Sequence, residues 1–336
     1  MAAATRCVVV APNWVGDTVM ALPVIDALTA SGREVHVLCR AHLEPLLRMS
    51  SSVSAVIRRE SDVRTIECLR RAGAGEAFVL PNSFRSAWLP YRAHLPQRYG
   101  YRGNFRGWML SPAVRRPPTT GHQVDDYHQL LAAAGVSGPE EWRPRIEVSS
   151  EVVRAGREAL ERAAALGSSR LIGIFPGAEF GPSKRWPWQR FAELTHALRR
   201  TVEGVQLVLL AGPKEVWSTV RIHEQSGRLV PVVGSDLDLA DLAGLLHHLD
   251  LLVTNDSGPM HMAAALDVPC VAIFGPTDPR RTRPYGDDHE VLYTDRWCSP
   301  CFRKRCPLLH QRCMTEIEVD QVAAAVGRLV SGQASG

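Results

Sequence analysis

Lysine is nearly absent from this chain: among 336 residues it occurs only at positions 184, 214 and 304, so almost all positive charge is arginine. Arginine offers a planar fork of donors suited to phosphate and carboxylate, where lysine offers a compact point charge. Long hydrophobic runs are missing too. The longest, such as 207–211 and 268–274, have strand length, far short of the roughly 20 apolar residues a membrane-spanning helix needs. The opening MAAATRCVVVA has no separate hydrophobic region or cleavage site, because its apolar run is the first strand itself. The expectation is a cytoplasmic protein, at most peripheral at the inner face of a membrane. No GxGxxG follows the first apolar segment and no GxxxxGK[ST] occurs, which disfavours dinucleotide and P-loop sites. No recognised nucleic-acid module is visible either.

What the chain has is alternation. With 45% hydrophobic residues it is long enough for two domains with cores of their own. Apolar segments at 6–11, 34–39, 53–57 and 76–80 read as strands, with helices between them at 18–30, 43–49 and 62–72. Residues 99–118 are rich in Gly and Pro and read as irregular, 123–134 as a helix, and 135–144 as a linker. The pattern then resumes with a helix at 151–166 and strands at 171–175, 205–210, 229–233, 251–254 and 268–274. Helices follow at 189–201, 239–247, 259–266 and 317–330. Such alternation predicts an α/β fold of two domains, residues 1–150 and 151–313, followed by a terminal helical segment, 314–336.

Charge is unevenly spread: the net formal charge of +4 divides into +5 for residues 1–150 and −1 for the rest. No acid occurs between Glu76 and Asp125, whereas Arg85, Arg92, Arg98, Arg102, Arg106, Arg115 and Arg116 all fall there. Phe84, Trp88, Tyr91, Tyr99, Tyr101, Phe105 and Trp108 are interleaved with them. A basic-aromatic stretch suits an anionic membrane surface or a phosphorylated glycolipid, with nucleic acid the poorest fit. Its plain alternative is a solvated arginine-rich surface.

Two turns carry the chemistry. Residues 250–279, DLLVTNDSGPMHMAAALDVPCVAIFGPTDP, read as strand, polar turn, helix, strand and a second turn. Ser257 suits an N-cap and Pro259 the first helical turn, so the backbone donors near Gly258 would face an anion, with His261 one turn in. The second turn, Pro12-Asn13-Trp14-Val15-Gly16-Asp17, follows the first strand. Asp17 there suits a general base or a helix N-cap, and Gly16 a position of positive φ or close ligand approach. Lys184, one of only three lysines and set in a Gly/Pro loop after a strand, is a cation that would neutralise an anionic ligand, with Arg185 the weaker alternative.

Four motifs stand in order: NWVGDTVMALP near the start, PGAEFGPSKRWP at 176–187, NDSGPMHMAAAL at 255–266 with FGPTDP at 274–279, and CSPCFRKRCPLLHQRC at 298–313. Together they resemble the lipopolysaccharide heptosyltransferases, glycosyltransferase family 9. The resemblance implies a GT-B fold, two Rossmann-like domains facing a central cleft, with the last helix packing back on the N-terminal domain. It implies inverting transfer of L-glycero-D-manno-heptose from ADP-heptose to the heptosyl-Kdo-lipid A inner core of lipopolysaccharide, with no cofactor. The partners would be a nucleotide sugar and a phosphorylated glycolipid, not nucleic acid. Asp17 falls on the family's catalytic aspartate, with Lys184 beside the donor. Gly16, Asp256, Ser257, Gly258 and His261 would line the sugar-diphosphate site, Glu215 the ribose, and Leu237 the adenine face. Arg85, Arg102 and Arg106 are the acceptor contacts expected in the acid-free stretch.

The only Asp-x-Asp, Asp236-Leu237-Asp238, lacks the context of a nucleotide-bound metal, so metal-independent transfer is expected. Cys298, Cys301, Cys306 and Cys313, with His310, have the density of a structural metal cluster, or equally of reduced packing residues. Three alternatives remain: another nucleotide sugar or acceptor, addition of the first heptose, or a binding protein that has lost catalysis.

Overall fold

The protein is seen in a computed structural model, which describes residues 5–116, 121–138, 141–165, 170–212, 216–234 and 236–332. It divides into two compact units, Met1–Glu147 and Val148–Gly336.

The first unit is built on β1 (Arg6–Val10), β2 (Glu34–Cys39), β3 (Ala55–Arg58), β4 (Glu76–Val79), β5 (Gln97–Tyr101) and β6 (Ala113–Val114). Their order is β3-β2-β1-β4-β5-β6, and every neighbouring pair is parallel. Central β1 is buried from Cys7 to Val10, as expected for an apolar strand covered on both faces. The helices are α1 (Val15–Met20), α2 (Leu22–Ala30), α3 (Glu44–Arg48), α4 (Asp62–Ala72), α5 (Phe84–Arg92) and α6 (Gln123–Ala132). The single helix expected over 18–30 forms as two. Pro23, in the first turn of α2, has no N–H to continue a ladder from α1, and the chain breaks at Ala21.

The stretch expected to be irregular from residue 99 instead supplies β5 and β6. Phe78 of β4 stacks on Tyr99 of β5 with ring centroids 5.0 Å apart. Helix α5, with Pro90 inside it, was likewise hidden in the basic-aromatic sequence. Both elements are held by partners distant in sequence, which local composition does not register.

The second unit opens with α7 (Ser150–Arg162) and contains β7 (Leu171–Phe175), β8 (Gln206–Leu210), β9 (Val232–Val233), β10 (Leu251–Asn255), β11 (Cys270–Phe274) and β12 (Glu290–Tyr293). Their order is β12-β11-β10-β7-β8-β9, again wholly parallel. The remaining helices are α8 (Trp188–Thr201), α9 (Val216–Gln225), α10 (Leu239–Leu246), α11 (Gly258–Ala265), α12 (Pro279–Thr282), α13 (Arg312–Thr315) and α14 (Val319–Gly332).

Helix α14 lies against α8 and β10–β12 of its own unit. Its apolar stripe, Val322, Ala325 and Val326, shares one core with Trp186, Phe191 and Ile273. The Arg170 guanidinium donates to Val330 O at 2.6 Å and Arg328 pairs with Glu290 at 2.7 Å, fastening the helix at both faces.

Arg106 holds the carboxyl-end loops of the first unit together. Its side chain is fully buried, and all three of its nitrogens donate. Nε and Nη2 reach Tyr101 O at 3.0 and 2.9 Å, Nη2 also reaches Asn82 Oδ1 at 3.1 Å, and Nη1 reaches Ser83 O, Ser86 Oγ and Pro81 O. Burial, with the charge of Arg116, lowers its pKa to about 10, still high enough to keep it cationic at neutral pH. Arg106→Leu would leave several buried carbonyls without donors. The expected loss is about 3 kcal/mol or more, a fall in melting temperature of roughly 6–12 °C. Arg106→Lys should restore only part of it, since one ammonium cannot span these acceptors. Circular dichroism melting checks both, and an unchanged midpoint for Arg106→Leu would refute the anchoring role.

Candidate active site

In each sheet the strand order reverses beside the first strand of the unit, between β1 and β4 and between β7 and β10. Loops leaving neighbouring strands at such a switch point turn to opposite faces and open a crevice beyond the carboxyl ends.

In the first unit, the turn after β1 leads into α1. Asp17 is the third residue of that helix, and its N-cap position belongs to Trp14, so Asp17 is not the cap. Its Oδ1 accepts a hydrogen bond from Gln123 Nε2 at 3.0 Å, and the same amide donates to the Tyr127 hydroxyl at 2.8 Å. Burial, then the charge of Asp17, pushes the Tyr127 phenol well above its ordinary range, so it stays neutral beside the half-buried carboxylate. The placement of Gln123 follows from α6: His122 caps the helix and its N–H donates to Asp125 Oδ2 at 2.9 Å. Nothing local in the sequence marks Gln123, 106 positions after Asp17, or Tyr127 as companions of that residue. Gly16 is an ordinary helical residue of α1, so positive φ is not what selects it.

Beside this turn lies a small recess lined by Asn13, Arg40, Arg59, Ser83 and Ser86. Arg40 Nε donates to Asn13 Oδ1 at 2.9 Å. Burial, then the positive charges of Arg85 and Arg40, holds the Arg59 guanidinium below the usual arginine range. Arg40 and Arg59, from two loops, thus meet Arg85 in the first turn of helix α5, a setting suited to an anion. The sequence reading missed Arg40 and Arg59, which lie outside the acid-free stretch that drew notice.

Of the three expected acceptor arginines, Arg85 belongs to this group, its guanidinium also holding Asp62 Oδ1 at 2.8 Å. Arg102 is exposed and donates to Ala113 O at 3.1 Å. Arg106 is corrected: it is buried and its donors are already used by backbone and side-chain oxygens, so none is left for a ligand.

In the second unit, loops from three adjacent strands converge. Asn255, the last residue of β10, is fully buried; its amide donates to Pro176 O at 2.8 Å and accepts from Trp186 N at 3.0 Å. Both ends of the β7 loop are thereby fixed, and Lys184 within it reaches Asp256 Oδ2 at 2.5 Å. Thr277, from the loop after β11, donates to the same oxygen at 2.5 Å. The Lys184 ammonium also lies 5.1 Å from the centre of the Phe180 ring. Ser257 is the N-cap residue of α11 by position, but its hydroxyl is shared with Thr254 Oγ1 at 3.0 Å and caps no backbone N–H. Gly258 and Pro259 start the helix, and His261 is buried in its first turn. Leu237 sits over Gly234 at the carboxyl end of β9, on the same edge of the sheet. Glu215 lies outside the described residues.

The cysteine-rich tail braces these loops. Ser183 Oγ and N donate to Arg303 O at 2.5 Å and Lys304 O at 3.3 Å; Gln311 Nε2 donates to Pro182 O at 2.7 Å; Phe302 N donates to Pro276 O at 2.8 Å. A Cβ on Gly181 would lie 2.5 Å from Lys304 O, so this approach requires glycine. The four tail cysteines are free, and among the described residues no three His, Cys, Asp or Glu are arranged to hold a metal ion. Cys313 is buried, and that burial, then the neighbouring Cys301, Cys306 and Cys298, raises its thiol pKa to about 11.

A family model described as glycosyltransferase family 9 (heptosyltransferase) matches residues 63–311. The chain is 34% identical over 319 residues to lipopolysaccharide heptosyltransferase 2 of Salmonella typhimurium, covering 85% of this chain and 87% of that protein. Against the Escherichia coli lipopolysaccharide heptosyltransferase 2 the identity is 31% over 313 residues, with the same two coverages of 85% and 87%. The solved structure of the E. coli ADP-heptose LPS heptosyltransferase II matches with a TM-score of 0.81 at 29% identity, over 98% of this chain and 99% of that one. A family 9 glycosyl transferase from Veillonella parvula shares the fold, with a TM-score of 0.85 at 23% identity over 98% and 97% of the two chains. Two Rossmann-like parallel sheets of this kind make a GT-B fold. By family and by fold, the chain belongs to glycosyltransferase family 9, the heptosyltransferases, and is a glycosyltransferase.

Proposed function

We propose that the protein transfers L-glycero-D-manno-heptose from ADP-heptose, with inversion, to the heptosyl-Kdo-lipid A inner core of lipopolysaccharide. The observation that carries this reading is the meeting of Lys184, Asp256 and Thr277 at the β7/β10 switch point, beside the uncapped start of α11. A cation held there in advance would meet the charge that develops on ADP as the glycosidic bond breaks. Gly258, the first turn of α11 and His261 would complete the sugar-diphosphate site, and Leu237 would cover the adenine. Charge neutralisation is assigned to Lys184 and the helix donors, with no metal ion or cofactor in the step. The names of the relatives, lipopolysaccharide heptosyltransferases 2, support the choice of sugar and acceptor.

Asp17 would take the proton of the acceptor hydroxyl as that oxygen attacks the anomeric carbon from the face opposite ADP. The Gln123 amide would orient the carboxylate for this role. Anionic groups of the acceptor would lie against Arg40, Arg59 and Arg85. Since that acceptor is a membrane lipid, the enzyme would work as a peripheral protein at the inner face of the inner membrane. Among the described residues no helix is long and apolar enough to cross a membrane.

Incubation with ADP-heptose and Kdo-lipid A carrying one heptose should add one heptose by mass, and Kdo-lipid A without heptose should gain none. No mass gain on either acceptor would refute the reading. Asp17→Asn should lower kcat by at least ~100-fold with ADP binding intact. A variant that keeps most of its turnover would remove Asp17 from the chemistry.

Lys184→Ala and Asp256→Ala should weaken use of ADP-heptose, Lys184→Ala by about 2–4 kcal/mol in the transition state. Calorimetric titration with ADP is the check, and unchanged affinity in both variants would move the donor elsewhere. Arg59→Gln should raise the acceptor KM about tenfold, the worth of one charge-assisted contact, and leave the donor KM alone. Equal acceptor kinetics in wild type and variant would exclude the arginine recess from acceptor binding.

A further inference from the structure

One face of the first unit combines exposed aromatic rings with arginine and has no role in the site described. Phe84 and Tyr91, on α5, both meet Trp108, with ring centroids 6.5 and 5.1 Å away. Trp108 is nonetheless 63% exposed, and Phe105 on the same loop is 92% exposed. Large apolar side chains clustered in this way mark an interaction surface, whereas single ones need no explanation.

The loop is built to present them. Gly103, Asn104 and Phe105 have successive positive φ values of 136°, 48° and 55°. A bulky residue such as phenylalanine avoids that region unless its surroundings impose it. Here the surroundings do: Asn104 Nδ2 donates to Asn82 O at 2.6 Å, the buried Arg106 ties the loop to the turn beneath, and Trp108 Nε1 donates to Phe105 O at 3.0 Å. The anchored loop holds Phe105 out in solvent.

Charge selects the occupant. No acidic residue occurs from Ala77 to Val124. Arg92 is exposed, its guanidinium 5.7 Å from the centre of the Trp88 ring, and Arg102 is exposed on the strand side of the loop. Tryptophan and phenylalanine at the headgroup level, flanked by arginine, match an anionic bilayer surface, which takes the rings at its interface and the cations at its lipid phosphates.

We infer that the face formed by Phe84, Tyr91, Phe105 and Trp108, with Arg92 and Arg102, docks the protein on an anionic lipid surface. The biological membrane in question rests on the lipid-borne acceptor of the proposed function; the binding itself needs no acceptor.

The test is co-sedimentation of the full chain with vesicles of phosphatidylcholine alone and of phosphatidylcholine mixed with phosphatidylglycerol. The wild type should bind the mixed vesicles, less so as salt rises, and the neutral ones weakly. Arg92→Glu should lower binding to the mixed vesicles by at least about fivefold, the effect of one basic group near an anionic surface. Phe105→Ser should lower binding to both kinds of vesicle. Both side chains are exposed, so melting temperatures should be unchanged, and transfer to a detergent-dispersed acceptor should match the wild type. Wild-type protein that ignores both vesicles, or variants that bind as well as it does, would overturn the inference. Loss of transfer with vesicle binding intact would count against the proposed function and leave this surface standing.

Discussion

A parallel sheet leaves all its strands' carboxyl ends on one edge, and the chain can depart from that edge only through loops turning to one face or the other. Where the strand order reverses, adjacent loops diverge, and polar side chains can gather without burying backbone groups. In the second unit this places loops from β7, β10 and β11 side by side, because β10 lies between the other two. Lys184, Asp256 and Thr277 are far apart in sequence and meet for that reason alone. The first unit repeats the constraint, with Asn13 and Asp17 after β1 and Ser83 after β4.

A buried lysine–aspartate pair is a poor way to stabilise a fold. Removing both charges from water costs several kcal/mol, which their attraction only partly offsets. The surroundings of this pair fit a different purpose. Asn255 fixes both ends of the lysine's loop, the tail clamps its middle at Gly181 and Ser183, and Thr277 satisfies the aspartate further. On the proposed reading, an ammonium so constrained would lose little freedom on meeting a diphosphate, and a preorganised charge is the kind that serves a transition state.

The scarcity of lysine also makes sense inside the fold. Arg98 and Arg106 hold several backbone carbonyls of the first unit, and Arg190 joins Ile317 O at 2.7 Å to the Glu318 carboxylate in the second. A planar fork spans such acceptors, and a point charge does not. An arginine-rich stretch therefore contains structural and surface residues under one composition, and only burial separates them. Arg106 and Arg102 differ by four positions and have opposite fates.

The parallel α/β class was legible because buried strands such as Cys7–Val10 and Leu251–Asn255 need continuous apolar runs, and the turns after them need Asn, Asp, Ser and Gly. Asp17, Lys184 and Asp256 stood out because a short motif carries both the turn and the functional group. The edge strands β5 and β6 and helix α5 did not, since cross-strand partners such as Phe78 and the buried Arg106 sustain them against their own composition. The docking of α14 was equally invisible: an amphipathic stripe states that a helix will bury one face, not which core receives it. Gln123 beside Asp17 and Arg59 beside Arg40 were decided by tertiary structure alone. Sequence sets what each segment can form and which groups it offers, but the convergence of distant loops depends on strand order, and strand order is a property of the assembled sheet.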